Sequence, residues 1–385
     1  MRFLSVLAEG RSYRECLDGL QAKLSEEKSP DLIFAFFSEA YSPHYQEFVD
    51  GLQEMVGEGS LLGCSAGGLS GEKRETEFRP AASLLCGWLP QVQIAPFYLK
   101  DMPDLDGPPG AWKAQVAPDL DEVKGIILLG DPFSLESEAL LRGLDFAYPD
   151  CPKVGGLASG CQRPGEAALV LGDRLYRRGC VGVALGGAIQ VSPSVAQGCE
   201  PVGGQLVITE CRGNVILELD NKPATLALTE TVRGLRPEQR TAAQRTIFVG
   251  LGAGKPALKY EPGDFLVRQV MGLDPRTGCI AVASRLRKGQ TVQFHLRDAE
   301  TSKKDLRNVL GKATADSVPE GALIFSCLGR GQNLYQEIGH DTRVFHEVVG
   351  EVPLAGFFCN GEFGPVGGES ALHGFTSSFA LFRSA

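Results

Sequence analysis

No stretch of this chain approaches the roughly 18 consecutive apolar residues that a membrane span needs. None of its 11 cysteines falls in a C-x-x-C pair, which argues against a zinc ribbon or a thioredoxin-like centre. The closest two are Cys151 and Cys161, and the set reads as small buried hydrophobes in a reducing compartment. Cationic excess is also missing. Lys and Arg number 38 against 47 Asp and Glu, a net charge of −9, which disfavours binding to the phosphates of nucleic acid. The basic runs Arg174 to Arg178 and Arg285 to Lys288 are short and interrupted, and read as solvated faces. There is no Ser/Gly linker and no recognisable kinase, methyl-acceptor or DNA-binding segment. What is present is ordinary for a globular protein: 43% hydrophobic and 22% charged over 385 residues, enough for two domains with a core in each. The apolar run before Glu9 and Arg11 is too short for a signal peptide, and a cytoplasmic location is expected.

The pattern of apolar residues predicts an α/β fold built from a degenerate repeat of strand, amphipathic helix, strand and glycine turn. The first unit holds Leu32 to Phe37, a helix carrying Tyr45, Phe48, Val49, Leu52 and Val56, and a turn starting at Gly63. The second holds Gly125 to Leu129, a helix carrying Leu140, Leu141 and Leu144, and a turn at Gly155. The third holds Ala322 to Phe325, a helix carrying Val344, Phe345, Val348 and Val349, and a turn at Gly356. The helical spacing of these residues is the signal. Such units build sheets covered by helices. Aligning the turns matches Ala66, Ala158 and Cys359, then Gly67, Ser159 and Asn360, then Gly68, Gly160 and Gly361.

Elsewhere, Ser12 and Glu15 form a capping box for a leading helix over residues 12–28. The segment Lys100 to Pro118, rich in Pro, Gly and Asp, reads as a loop. Short strands are expected at Gln205 to Thr209, Asn214 to Leu219, Gly278 to Ala283 and Thr291 to Leu296. Helices are expected from Pro223 and over Thr301 to Leu310. The boundary falls near 195–222, giving two closely packed domains of mixed sheets, residues 1–205 and 206–385.

Four constellations could carry chemistry. Gly63-Cys-Ser-Ala-Gly67 has the spacing of a nucleophile elbow, but no helix start follows it. Ser65 also aligns with Leu157 and Phe358, so the glycines are explained by the repeat. Gly250 to Lys255 fails both phosphate-loop spacings and reads as an ordinary loop. Cys359 and His373 could pair, but neither has a partner at metal-ligand spacing, and His340 and His346 miss a shared helical face. No metal and no cofactor is expected. The fourth constellation is the set of polar groups on the glycine turns: Ser65, Ser159, Arg330, Asn360, Glu362 and His373. They either satisfy turn backbone or converge on one pocket.

The stretch from Pro353 through Cys359-Asn-Gly-Glu-Phe-Gly-Pro to His373-Gly-Phe-Thr resembles the closing signature of the FIST family, sensory domains named for F-box and intracellular signal transduction proteins. Gly63-Cys64-Ser65-Ala-Gly-Gly68, Gly155 to Gly160, Ser284 to Asp298 and Cys327 to Gly331 are similar to other family segments in the same order. The resemblance implies an N-terminal and a C-terminal FIST domain and a small-molecule sensor, with amino acids among the ligands expected. Cys64, Ser65, Ser159, Arg330, Asn360, Glu362 and His373 are then the expected ligand-binding residues. On this reading Arg330, freed by its flanking glycines, grips a carboxylate in a bidentate way. Glu362 holds an ammonium, Asn360 fixes orientation, and His373 closes the far side of one cavity between the two domains. A signalling protein would take the output. Two rivals remain at this point. One is a hydrolase using Ser65 or Cys359 with His373. The other is a protein-interaction adaptor.

Overall fold

The computed structural model describes residues 1–243, 246–254, 259–261 and 263–385. The chain forms two compact units. One comprises Met1–Ala196, Arg307–Pro365 and Ser370–Ala385; the other comprises Gln197–Leu306 and Val366–Glu369.

The larger unit is one motif used three times. The first repeat runs β1 (Arg2–Glu9), α1 (Tyr13–Leu24), β2 (Leu32–Ser38), α2 (Tyr45–Val56), β3 (Ser60–Ala66), a hairpin of β4 (Leu69–Gly71) and β5 (Arg74–Thr76), then β6 (Ala81–Trp88). The second runs β7 (Val92–Leu99), α3 (Pro109–Val116), β8 (Gly125–Gly130), α4 (Ser137–Ala147), β9 (Lys153–Leu157), a hairpin of β10 (Leu169–Leu171) and β11 (Arg174–Tyr176), then β12 (Cys180–Gly187). The third opens with β13 (Ile189–Ala196). Here the smaller unit is inserted: β14 (Glu200–Arg212), β15 (Val215–Leu219), β16 (Lys222–Pro223), α5 (Ala224–Gly234), α6 (Pro237–Ala243), β17 (Ile247–Gly252), β18 (Phe265–Asp274), β19 (Cys279–Val282) and β20 (Thr291–Leu296). The third repeat resumes with α7 (Ala299–Ala313), β21 (Gly321–Cys327), α8 (Gly331–Tyr335), α9 (His340–Val349), β22 (Leu354–Cys359), a hairpin of β23 (Glu362–Val366) and β24 (Glu369–His373), then β25 (Ser377–Ser384).

The three sheets of the larger unit have one strand order: β1-β6-β2-β3-β10-β11, β7-β12-β8-β9-β23-β24 and β13-β25-β21-β22-β4-β5. In each, the two strands flanking the second helix are parallel and the rest antiparallel. The hairpin of every repeat is lent to the sheet of another. The inner faces share a single core in which Phe36 stacks on Phe357 at 4.9 Å and Phe3 on Phe382 at 5.2 Å. Outside, α1 and α2 cover the first sheet, and α3 and α4 the second. On the third, Phe345 of α9 stacks on Phe379 of β25.

The glycine alignment is reproduced by register. Gly63 pairs with Ala35, Gly155 with Leu128 and Gly356 with Ile324. Each glycine lies within its strand rather than in the turn, which begins a few residues later. A Cβ would stand 2.3 Å from the Ala35 carbonyl oxygen, 1.9 Å from that of Leu128 and 1.8 Å from that of Ile324. Close approach of neighbouring backbone is therefore the reason for glycine at all three positions.

The smaller unit is an antiparallel sheet, β14-β20-β17-β18-β19-β15-β16, closed on itself by the β14–β15 pairing. Its core includes Val249, Val292, Phe294 and Ile280, with Ala224 and Leu228 of α5. The strands expected here form, as do the helices at α5 and α7. Lys255 of the phosphate-loop lookalike lies outside the described residues.

Two local expectations are corrected. The chain begins with a strand, β1, and not with the capped helix. The Ser12 cap itself is real, since Glu15 N donates to Ser12 Oγ at 3.2 Å. The segment Lys100 to Pro118 is not all loop, because α3 forms within it. Pro at the first helical position favours a start there, and Trp112 and Val116, four apart, are both buried. The cut at 205/206 concerned sequence domains; the compact units divide otherwise, because β25 pairs with β13 and β22 with β4, with β21 between them.

Candidate ligand-binding site

The turns that follow β3, β9 and β22 meet. Ser159 is the hub and has no exposed surface. Its amide donates to Ser65 O at 3.2 Å, its hydroxyl accepts from Gly67 N at 2.9 Å, and the same hydroxyl donates to Phe358 O. Phe358 N donates to Gly68 O at 2.9 Å, and Asn360 Nδ2 donates to Ala158 O at 3.0 Å. Of the polar groups on the glycine turns, Ser65, Ser159 and Asn360 thus converge, and they do so by satisfying the backbone of these turns. Ser65 is buried. Its hydroxyl accepts from Ala168 N at 3.0 Å and lies 3.5 Å from Ser159 O.

Cys64 and Cys359 lie in the core, and burial pushes both thiols well above their ordinary value. That is the reverse of an activated nucleophile. Cys359 Sγ donates to Phe357 O, whereas His373 Nε2 sits 3.2 Å from Gly364 O, so the two are engaged with different carbonyls. Among the described residues no cluster of His, Cys, Asp or Glu has metal-binding geometry.

Arg330 departs from the sequence reading. Its fork is not free: Nε donates to Asp341 Oδ2 at 2.7 Å, and Nη2 to Asp341 Oδ1 at 3.1 Å and to Tyr335 Oη at 2.6 Å. The flanking glycines give the chain room to turn, but α9 brings Asp341 onto the guanidinium. Ser326 and Ser377 hydroxyls also donate to Asp341 Oδ2, at 3.0 and 2.7 Å. Burial opposes ionisation of Asp341. The charge of Arg330 and the surrounding hydrogen bonds outweigh it and hold the carboxyl far below the usual range.

The first repeat's hairpin braces this cluster from outside. Glu75 Oε1 accepts from Thr342 N at 2.8 Å and Thr342 Oγ1 at 3.0 Å, and Oε2 accepts from Gly339 N at 3.1 Å, so it caps α9. Glu77 accepts from Gln332 N at 3.0 Å. Burial, with Asp341's charge, pushes the Glu75 carboxyl up to about 7.

Glu362 opens β23 and has no exposed surface. Its Oε2 accepts from Thr376 N at 3.1 Å and Thr376 Oγ1 at 2.9 Å. Burial pushes this carboxyl up to about 8, against the lowering influence of Thr376, of Arg330's charge and of the Cys327 thiol. Arg330 Nη1 and Glu362 Oε1 are both buried and have no hydrogen-bond partner among the described residues. Buried polar atoms are rarely left so. Arg330, Asn360, Glu362 and His373 all belong to the larger unit. Asp341, Tyr335, Thr376, Glu75 and Glu77 were missed. Only the helical pattern of α9 hinted at Asp341, and nothing local links Glu75 to a helix 267 residues on.

The FIST N domain matches residues 31–222 and the FIST C domain residues 224–365. The chain belongs to the FIST family. FIST domains are sensor domains of signal transduction, and that is the coarse function of this FIST protein. It is similar to an uncharacterised protein of Mycobacterium tuberculosis, 35% identical over 92% of this chain and 91% of that one. An uncharacterised Mycobacterium bovis protein is 33% identical over 92% and 91%. Among solved structures, a cyanuric acid hydrolase from A. caulinodans covers 100% of this chain and 99% of its own at 10% identity and a TM-score of 0.33. A likeness that distant bears on neither site nor chemistry. No helix among the described residues is long and apolar enough to cross a membrane.

Proposed function

We propose that this FIST protein senses an amino acid or a similar small zwitterion at the Arg330–Glu362 centre and passes its occupancy to a signalling protein. The supporting observation is that two fully buried side chains of opposite charge type each keep one polar atom without a partner among the described residues. One is a guanidinium N–H, the complement of a ligand carboxylate. The other is a carboxyl oxygen, the complement of an ammonium. The Asp341 pair fixes the guanidinium plane, so Nη1 is the donor left for a ligand. Asn360, exposed beside this centre in sequence, serves orientation at the mouth, and His373 backs the wall. Ser65, Ser159 and Cys64 contribute by holding the turns.

The test is a thermal-shift screen of the twenty amino acids and simple amines and acids against the full chain, with native mass spectrometry of what co-purifies. At a ligand concentration of 100 Kd the fold gains about 2.7 kcal/mol, a shift of roughly 5 °C for a chain of this size. Glu362→Gln and Arg330→Lys should each abolish it. No shift from any compound, or a shift unchanged in both variants, rejects the proposal.

A further inference from the structure

The chain directly beside Glu362's partner carries a backbone outlier. Phe375 has φ 66°, and the other described non-glycine residues with positive φ are Glu72, Lys73, Gln91, Asp220, Asn221 and Gln336, all polar. A bulky side chain holds this conformation only where its surroundings impose it, and such outliers gather at ligand clamps and switches. The residue after it is anchored to the centre. Thr376 N and Oγ1 donate to Glu362 Oε2, and Cys327 N donates to Thr376 O at 2.9 Å. The ring lies against Gly329, the residue before Arg330, where a Cβ would stand 3.1 Å from it. Phe375 is half-buried, while Arg330, Glu362 and Thr376 are 0, 0 and 1% exposed. The ring therefore packs on the residue before Arg330 with part of its surface open to solvent, on a backbone held in the left-handed region.

We infer that Phe375 is the gate of the Arg330–Glu362 centre: its ring closes the outer side over Gly329, and the Gly374–Phe375 peptide turns outward to admit a ligand. The inference rests on the ligand-site reading above, but its test needs no ligand. Opening relieves the left-handed conformation at Phe375 and breaks the Cys327–Thr376 bond, so closure and ligand retention are one event. Access past a single ring favours small ligands, which agrees with a free metabolite over a peptide.

The experiment is amide hydrogen exchange on the ligand-free full chain, with iodoacetamide labelling of Cys327 followed by peptide mapping. Phe375→Asn removes the ring while tolerating the left-handed backbone, so the fold is retained. Phe375→Leu keeps a cover. In Phe375→Asn the amides of Cys327 and Thr376 should exchange about tenfold faster, and Cys327 should label faster, with β2 and β8 unchanged, as for a local opening. Phe375→Leu should stay near the native rates. Native rates in Phe375→Asn, or acceleration spread equally into β2 and β8, would overturn the gate. A positive gate with no response to any zwitterion would fault the ligand assignment alone.

Discussion

Arg330 and Asp341 form a two-point ion pair, Nε to Oδ2 at 2.7 Å and Nη2 to Oδ1 at 3.1 Å, with the two side chains 0 and 1% exposed. Charges so placed depend on each other, because neither can recover its hydration.

Removing one partner should therefore cost much more than a surface pair would. Asp341→Asn leaves a buried guanidinium without its counter-charge, and a loss of about 3–5 kcal/mol is expected. Urea unfolding monitored by fluorescence measures it. A loss below 1 kcal/mol, the range of an exposed pair, would show that water reaches the cluster.

Stability should fall as pH rises from about 5 to 8.5. Glu362 and Glu75 have folded values raised to about 8 and about 7 from an ordinary 4.5. Between those values the folded state holds protons that the unfolded state has released. Their contribution is complete below the unfolded value and is lost as pH passes the folded one, with a slope near 1.4 kcal/mol per pH unit for each group. Asp341 acts in the opposite sense, but only at acid pH, because its folded value is depressed. Urea midpoints at several pH values should show the decline, and Glu362→Gln should flatten it. A slope the same in Glu362→Gln and the native chain would place water on that carboxyl.

The same proton competes with an ammonium at Glu362. Affinity for a zwitterion should rise with pH toward 8, and binding at pH 7 should release a proton. Calorimetry in buffers of different ionisation enthalpy reads this directly. Binding without proton release assigns the ammonium to another group.

Gly63→Ala, Gly155→Ala and Gly356→Ala should each destabilise the fold by more than about 3 kcal/mol, among the largest single-residue effects. Gly155 and Gly356 should suffer most, with built Cβ atoms 1.9 and 1.8 Å from carbonyl oxygens against 2.3 Å for Gly63. Soluble yield and thermal midpoint are the readouts. Near-native midpoints in all three would contradict the shared register.

Ser159→Ala should cost about 1–3 kcal/mol, because Gly67 N and Phe358 O lose their partner inside the core. A fluorophosphonate should not label Ser65, whose hydroxyl is engaged with backbone. Labelling that disappears in Ser65→Ala would restore the hydrolase reading.

The sequence by itself determined the repeat. Helical spacing of Phe48, Val49 and Leu52, or of Val344, Phe345 and Val349, follows from local periodicity, as does the Ser12 cap. The glycine alignment was legible because Gly63, Gly155 and Gly356 answer the same collision with a neighbouring carbonyl. Arg330 and Glu362 also stood out locally, as charged residues set among glycines. Only the tertiary structure decided what those residues touch. Asp341, at the start of α9, folds back onto Arg330 at the end of the loop after β21, and its presence changes the guanidinium from a free fork to one with only Nη1 spare. Glu75 comes from another repeat because the hairpins are exchanged between sheets, and no local signal encodes that exchange. Strand pairing across hundreds of residues is set by the packing of three sheets on one core, a property of the whole chain. Periodicity can say which face of an element is buried, but not which partner will cover it.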